Sequence, residues 1–156
     1  MTETQNPVNI TEEIEAQLIS LFKAASLEIQ AVLRESDNDD IHFDLKGKDS
    51  ELMLMEGASL LYAFNHLINQ IYFKRLGRGR NIVFDCLNYL ADRELELELM
   101  ADVAAEQAHT TGRKLVLQPM NAAERRIIHM RLAEKEGIRT ESEGFGQNRR
   151  ISIMPD

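Results

Sequence analysis

Hydrophobic residues recur at helical spacing from Thr11 onward. Ile14, Leu18, Leu21, Phe22, Ala25, Ile29 and Val32 mark an amphipathic helix that the pattern carries to about Leu33. Ahead of it, residues 1–10 are polar and unpatterned and are expected to form a flexible tail. The period then changes. Ser36-Asp37-Asn38-Asp39-Asp40 supplies a turn, and Ile41, Phe43 and Leu45 alternate with His42, Asp44 and Lys46, as in a half-buried strand that pairs with the residues around Val32 to Glu35. A short apolar piece from Leu52 to Met55 meets Gly57, and a second helix comes next with Leu60, Leu61, Phe64, Leu67, Ile68 and Ile71 on its inner side. The basic turn Lys74 to Arg80 leads into a strand at Ile82 to Cys86. From Ala91 to His109 the Ala, Glu and Leu content predicts a helix, although Leu95-Glu96-Leu97-Glu98-Leu99 alternates like a strand; Gly112 ends it.

The C-terminal stretch carries the candidate chemistry. Asn121 can cap a helix, with Glu124 three residues later as in a capping box and Ile127, Ile128 and Leu132 as its apolar stripe. Arg125 and His129, four residues apart, therefore share one helix face. Ile151-Ser152-Ile153-Met154 alternates as a strand. If Arg149 and Arg150 lie in it they face opposite ways, so one of them shares the surface of Arg125.

Charge at first opposes a polyanion partner, since the net charge is −8 over 156 residues. The average hides a split: residues 1–112 hold 9 Lys+Arg against 20 Asp+Glu, a net −11, whereas residues 113–156 hold 9 against 6, a net +3. Contact depends on the local patch. The single cysteine, Cys86, excludes an intrachain disulfide and any multi-cysteine zinc site, and its apolar strand context predicts burial. No apolar run is long enough to span a membrane and no leader is visible, so the expected compartment is the cytoplasm.

The Arg125-Arg126-Ile127-Ile128-His129 run, with Thr140-Glu141-Ser142-Glu143-Gly144 and Asn148-Arg149-Arg150 after it, resembles the R-three-H domain, a single-stranded nucleic-acid module. The segment from Pro119 to His129 is especially similar to the form found in the bacterial Jag (SpoIIIJ-associated) family. In that family a type II KH module precedes the R-three-H domain, and the order of helix, two strands, helical turn, loop, helix, strand and long helix resembles it. The resemblance implies an α+β fold with a KH-like domain over residues 11–112 and an R-three-H domain over residues 113–156. The separate N-terminal domain of many longer members is expected to be absent. A KH module clamps about four nucleotides with a Gly-x-x-Gly loop. At the matching place stands Leu54-Met55-Glu56-Gly57, where a leucine blocks close backbone approach and Glu56 would sit near an incoming phosphate. The clamp is expected to be degenerate.

The resulting expectation is non-catalytic binding to single-stranded RNA, or alternatively DNA, with Arg125, His129, Arg126, Arg149 and Arg150 as the contacting residues. Arg125 would meet a phosphate and His129 a base; the competing structural reading is a surface arginine beside a core histidine. His42, His66, His109 and His129 are scattered and no nucleophile motif, phosphate loop or metal-ligand spacing occurs, so neither an enzyme nor a cofactor is implied. The resemblance further implies a context of bacterial RNA-linked control of envelope growth or division, and either a KH-only partner protein or a homodimer, without membrane insertion. The rival reading is a protein-interaction adaptor whose KH-like domain has lost RNA and whose acidic surface engages a basic partner.

Overall fold

The computed structural model describes residues 7–34, 40–77 and 79–156, with side chains from residue 10 onward. The fold is α+β and divides into two compact units, residues 1–90 and 91–156. The first unit contains α1 (Pro7–Ala24), β1 (Ile29–Arg34), β2 (Ile41–Gly47), a 3-10 turn (Ser50–Leu54), α2 (Met55–Leu76) and β3 (Ile82–Asp85). Its three-stranded sheet has the order β1-β2-β3, β1 antiparallel and β3 parallel to β2.

Two features of α1 correct the sequence pattern. The helix opens at Pro7 rather than Thr11, since proline is tolerated in a first turn where its missing N–H has no partner to lose, and Ile10 is already buried. The remainder of the expected tail, residues 1–6, lies outside the described residues, as do residue 35 of the expected strand and residues 36–39 of the expected turn. The helix also stops at Ala24, nine residues before Leu33. Ser26 adopts a left-handed backbone (φ 57°), the Leu27 N–H donates to Phe22 O at 2.9 Å and the Ser26 N–H to Lys23 O at 3.1 Å, the paired bonds of a Schellman stop. Serine occupies the position that glycine usually marks. Ile29 and Val32 consequently belong to β1.

The core of the first unit runs along one face of α1 through Ile14, Leu18 and Phe22, and along α2 through Leu61, Phe64, Ile68 and Tyr72, all packed on Phe43, Leu45, Ile82 and Phe84 of the sheet. Phe64 stacks on Phe22 with ring centroids 5.2 Å apart and meets Phe84 edge-on at 4.9 Å. Met53 is buried and Leu54 packs against the core, whereas Leu52 and Met55 are exposed. The open side of β3 is closed by side chains of α2. Asn65 and Asn69, one turn apart, each exchange a pair of hydrogen bonds with the backbone of Phe84 and Ile82, at 2.6 to 3.1 Å. Cys86 is buried as its context predicted; its thiol donates to Ser50 O at 3.2 Å, and burial pushes its pKa up.

The second unit is built from α3 (Tyr89–Thr111), β4 (Leu115–Val116), α4 (Ala122–Leu132), β5 (Ile138–Glu143), a 3-10 turn (Gly146–Asn148) and β6 (Arg150–Pro155). Its antiparallel sheet has β6 in the middle, in the order β4-β6-β5. The division falls after Leu90 rather than after Gly112. Leu97, Ala101, Ala104, Ala105 and Ala108 of α3 share a core with Ile128, Leu132, Ile138, Ile151 and Ile153, so nearly all of α3 belongs with the C-terminal elements. This shift changes the charge balance. Residues 91–156 hold 10 Lys+Arg against 12 Asp+Glu, a net −2, because α3 brings its carboxylates with it.

Candidate nucleic-acid interface

The start of α4 is fixed by a reciprocal cap. The Glu124 N–H donates to Asn121 Oδ1 at 3.0 Å, and the Asn121 N–H donates back to Glu124 Oε2 at 3.0 Å. The other carboxylate oxygen of Glu124, which is buried, accepts from Arg93 Nε of α3 at 2.7 Å. Burial works against the Arg93 charge, yet the hydrogen bonds to Glu124 and Glu96 outweigh it and raise the pKa. The cap is thereby anchored to the helix beneath it, and α4 holds a set orientation.

From this frame Arg125 and Arg149 are brought together. The Arg125 guanidinium donates to Met120 O at 2.7 Å, and the Met120 N–H donates to Arg149 O at 3.1 Å, so a single residue ties both arginines. Arg149 Nε donates to Ser142 Oγ of β5 at 3.1 Å. Both arginines line one depression of about 550 Å³ with Pro119, Met120, Asn121, Ala122, Gly146 and Gln147. Among the described residues neither forms an ion pair with a carboxylate, so each guanidinium keeps donors for an anion.

His129 lies one turn further along α4. It is half-buried, with Nδ1 2.6 Å from Thr140 Oγ1 of β5. Burial, and then the nearby Arg125 charge, push its pKa below the usual 6.5. The ring is therefore neutral near pH 7. In either tautomer Nδ1 serves Thr140, and Nε2 remains for a second hydrogen bond. The two competing readings of this histidine meet here: it is partly in the core and still on the Arg125 face.

The structure places Arg126 and Arg150 elsewhere. Arg126 lines a different depression with Glu94, Glu98 and Glu134, and Arg131 on the same side pairs with Asp102 at 2.7 Å and Glu98 at 3.7 Å. That flank of α4 faces carboxylates. Arg150 is exposed and stands opposite Glu143 in the β5–β6 register, where Glu143 also holds Lys114 at 2.5 Å. Of the four candidate arginines, Arg125 and Arg149 share a surface.

In the first unit, the Leu54-Met55-Glu56-Gly57 segment has an unusual backbone. Glu56, Gly57 and Ala58 are consecutively left-handed, with φ of 51°, 68° and 60°. Leu54 is half-buried, while Met55, Glu56 and Gly57 are exposed, so the carboxylate of Glu56 stands in solvent at the tip. The expected basic turn begins inside the last turn of α2: Arg75 forms an ion pair with Glu13 of α1 and covers the Tyr72 ring, and residue 78 lies outside the described residues.

One exposed residue escaped sequence reasoning. Phe145, 93% exposed between Gly144 and Gly146, adjoins the depression that holds Arg125 and Arg149. An aromatic bracketed by glycines in a loop was the available signal; it belongs to neither a helical nor a strand period.

This geometry is that of a capped-helix module presenting an Arg-x-x-x-His face beside a three-stranded sheet, and residues 95–155 match the family model of the R-three-H domain. Three RNA-binding proteins named KhpB are similar. That of Clostridium symbiosum is 26% identical over 137 residues, covering 87% of this chain and 62% of the relative. That of Bacillus subtilis (strain 168) is 29% identical over 115 residues, covering 72% and 55%. That of Lactiplantibacillus plantarum is 32% identical over 85 residues, covering 54% and 26%. The chain thus spans less than two thirds of the length of each of these relatives. The domain matched is the one that the Arg125/His129 helix resembled, and the relatives support the wider family resemblance. Among the described residues no helix is long and apolar enough to cross a membrane.

Proposed function

We propose that this chain binds single-stranded RNA without catalysis, through the Arg125–Arg149 depression and the adjoining His129. The observation that carries this reading is the pair of guanidiniums, free of carboxylate partners among the described residues, held on one surface by Met120. In a domain whose net charge is −2, two such groups left together are a local patch for a phosphate. The R-three-H match and the three KhpB relatives support the same class of ligand. Single-stranded DNA is the alternative ligand, and the cytoplasm the proposed compartment.

The strand order, with β3 parallel to β2 and a turn-and-helix between them, supports a KH-like first domain serving as scaffold or as a surface for a KH-only partner or a second copy. A second reading, the protein adaptor, is favoured by one observation: Met55 and Leu52 are 60% and 41% exposed beside the acidic Glu56.

The test is titration of a labelled single-stranded RNA with wild type and Arg125→Ala across salt concentrations. Losing one phosphate contact lowers affinity and flattens the log-affinity against log-salt slope by about 0.7. Equal affinity and slope for a folded Arg125→Ala variant removes Arg125 from the interface.

A further inference from the structure

We infer that Phe145 is a stacking platform that seats one unpaired RNA base beside the phosphate held by Arg125 and Arg149. The inference rests on the RNA-binding reading above and names how a base, rather than the backbone, would be held.

Phe145 is 93% exposed, more than any other large hydrophobic residue described, the next being 69%. At that exposure its ring contributes almost nothing to the core. The loop around it is nonetheless well determined. Gly144 takes φ 87°, and a Cβ there would meet Asn148 O at 2.8 Å, so the chain turns tightly at that point. The Asn148 N–H donates to Phe145 O at 3.1 Å and the Arg149 N–H to Gly146 O at 3.2 Å, closing a 3-10 turn directly after the ring. Arg149 is tied in addition to Ser142. The aromatic ring therefore projects from a short braced turn that ends at one of the two phosphate-facing arginines, and its neighbour Gly146 lines their depression.

A nucleotide offers an anionic phosphate and, about one sugar away, a flat π-face. Guanidiniums next to an exposed aromatic match those two chemistries in the same order. In a duplex the base faces are already stacked, so the platform favours a single strand. Stacking also tolerates any base, because every base has a π-face. The site thus discriminates strandedness more than sequence.

The chain contains no tryptophan, so Phe145→Trp installs its one tryptophan at the proposed contact, where it is excited selectively over the tyrosines. The whole 156-residue chain is titrated with single-stranded oligoadenylate and with an abasic strand of equal length. Phe145→Ala weakens oligoadenylate binding by roughly 5- to 150-fold. It leaves the salt slope unchanged because no charge is removed, and it leaves abasic binding as in wild type. Phe145→Trp retains affinity, and its emission is quenched by oligoadenylate and not by the abasic strand. A Phe145→Ala variant that binds oligoadenylate like wild type, or a Phe145→Trp variant whose emission is unaffected at saturation, overturns the stacking role while RNA binding through the arginines stands. Failure of the wild-type chain to bind either strand overturns the functional reading itself, and the stacking role with it.

Discussion

Asn65 and Phe84 exchange two hydrogen bonds: the Phe84 N–H donates to Asn65 Oδ1 at 2.8 Å and Asn65 Nδ2 donates to Phe84 O at 3.1 Å. The side-chain amide acts as a short neighbouring strand, and Asn69 repeats the arrangement at Ile82. Phe84 is fully buried, so Asn65→Ala leaves a buried donor and acceptor without partners. The expected loss is about 2–3 kcal/mol for the first unit, measured as a shift in the urea midpoint. Asn65→Asp keeps the acceptor but turns an anionic oxygen toward Phe84 O, and it destabilises by at least as much. A variant with an unchanged midpoint would show that water replaces the amide at this edge.

Arg125 and Arg126 are neighbours in sequence and differ in surroundings, and the difference is measurable. Arg125 shares its depression with Arg149, whereas Arg126 faces Glu94, Glu98 and Glu134. For single-stranded RNA, Arg149→Ala reproduces the fall in salt slope of about 0.7 expected of Arg125→Ala. Arg126→Ala leaves both affinity and slope near wild type. Equal losses for Arg125→Ala and Arg126→Ala would mean that the strand also crosses the acidic flank of α4 and that the Arg125–Arg149 depression is not its whole seat.

The contrast between these arginines also shows what the sequence could and could not reveal. The capping box was legible because Asn121 and Glu124 act locally, within one turn. Arg125 and His129 shared a face for the same reason. Which face was solvent and which was acidic depended on α3, whose place in the second core is set by Leu97, Ala104 and Ala108 packing with residues as far along the chain as Ile151 and Ile153. Period alone cannot supply that partner. The end of α1 was hidden differently: Ser26 takes a left-handed conformation that the pattern associates with glycine, so the apolar spacing ran on into β1. Phe145 was hidden by being alone.

His129 ties stability to pH. Burial, then the Arg125 charge, holds its pKa below 6.5, so the folded state favours the neutral ring. As pH falls through 6.5 the unfolded chain takes up a proton before the folded one does. Stability is therefore fully present above that value and declines as pH drops toward the lowered folded pKa. His129→Gln removes this dependence. Urea midpoints of the second unit compared between wild type and His129→Gln over this acidic window measure it. Parallel slopes for the two proteins would show that the ring titrates as freely in the folded protein as in the unfolded chain.

The strained loop separates RNA binding by the first unit from protein binding. Glu56 sits left-handed at the exposed tip, at a cost of about 1–2 kcal/mol for a residue with a Cβ. Glu56→Gly relieves that strain and raises stability by up to about 1 kcal/mol, the freer unfolded chain taking back the rest. Leu54→Gly combined with Glu56→Lys goes further toward a phosphate clamp, since it clears the backbone and reverses the charge. Because Leu54 packs on the core, the double variant loses stability and is compared only where it remains folded. If the first unit is a KH fold disabled at this loop, RNA affinity rises in the double variant, and high salt abolishes the gain because the new contact is to phosphate. If the loop instead serves a protein partner through exposed Met55, RNA affinity stays flat, while Met55→Asp weakens capture of that partner. Neither effect in folded variants would leave the loop a structural turn and withdraw the clamp assignment.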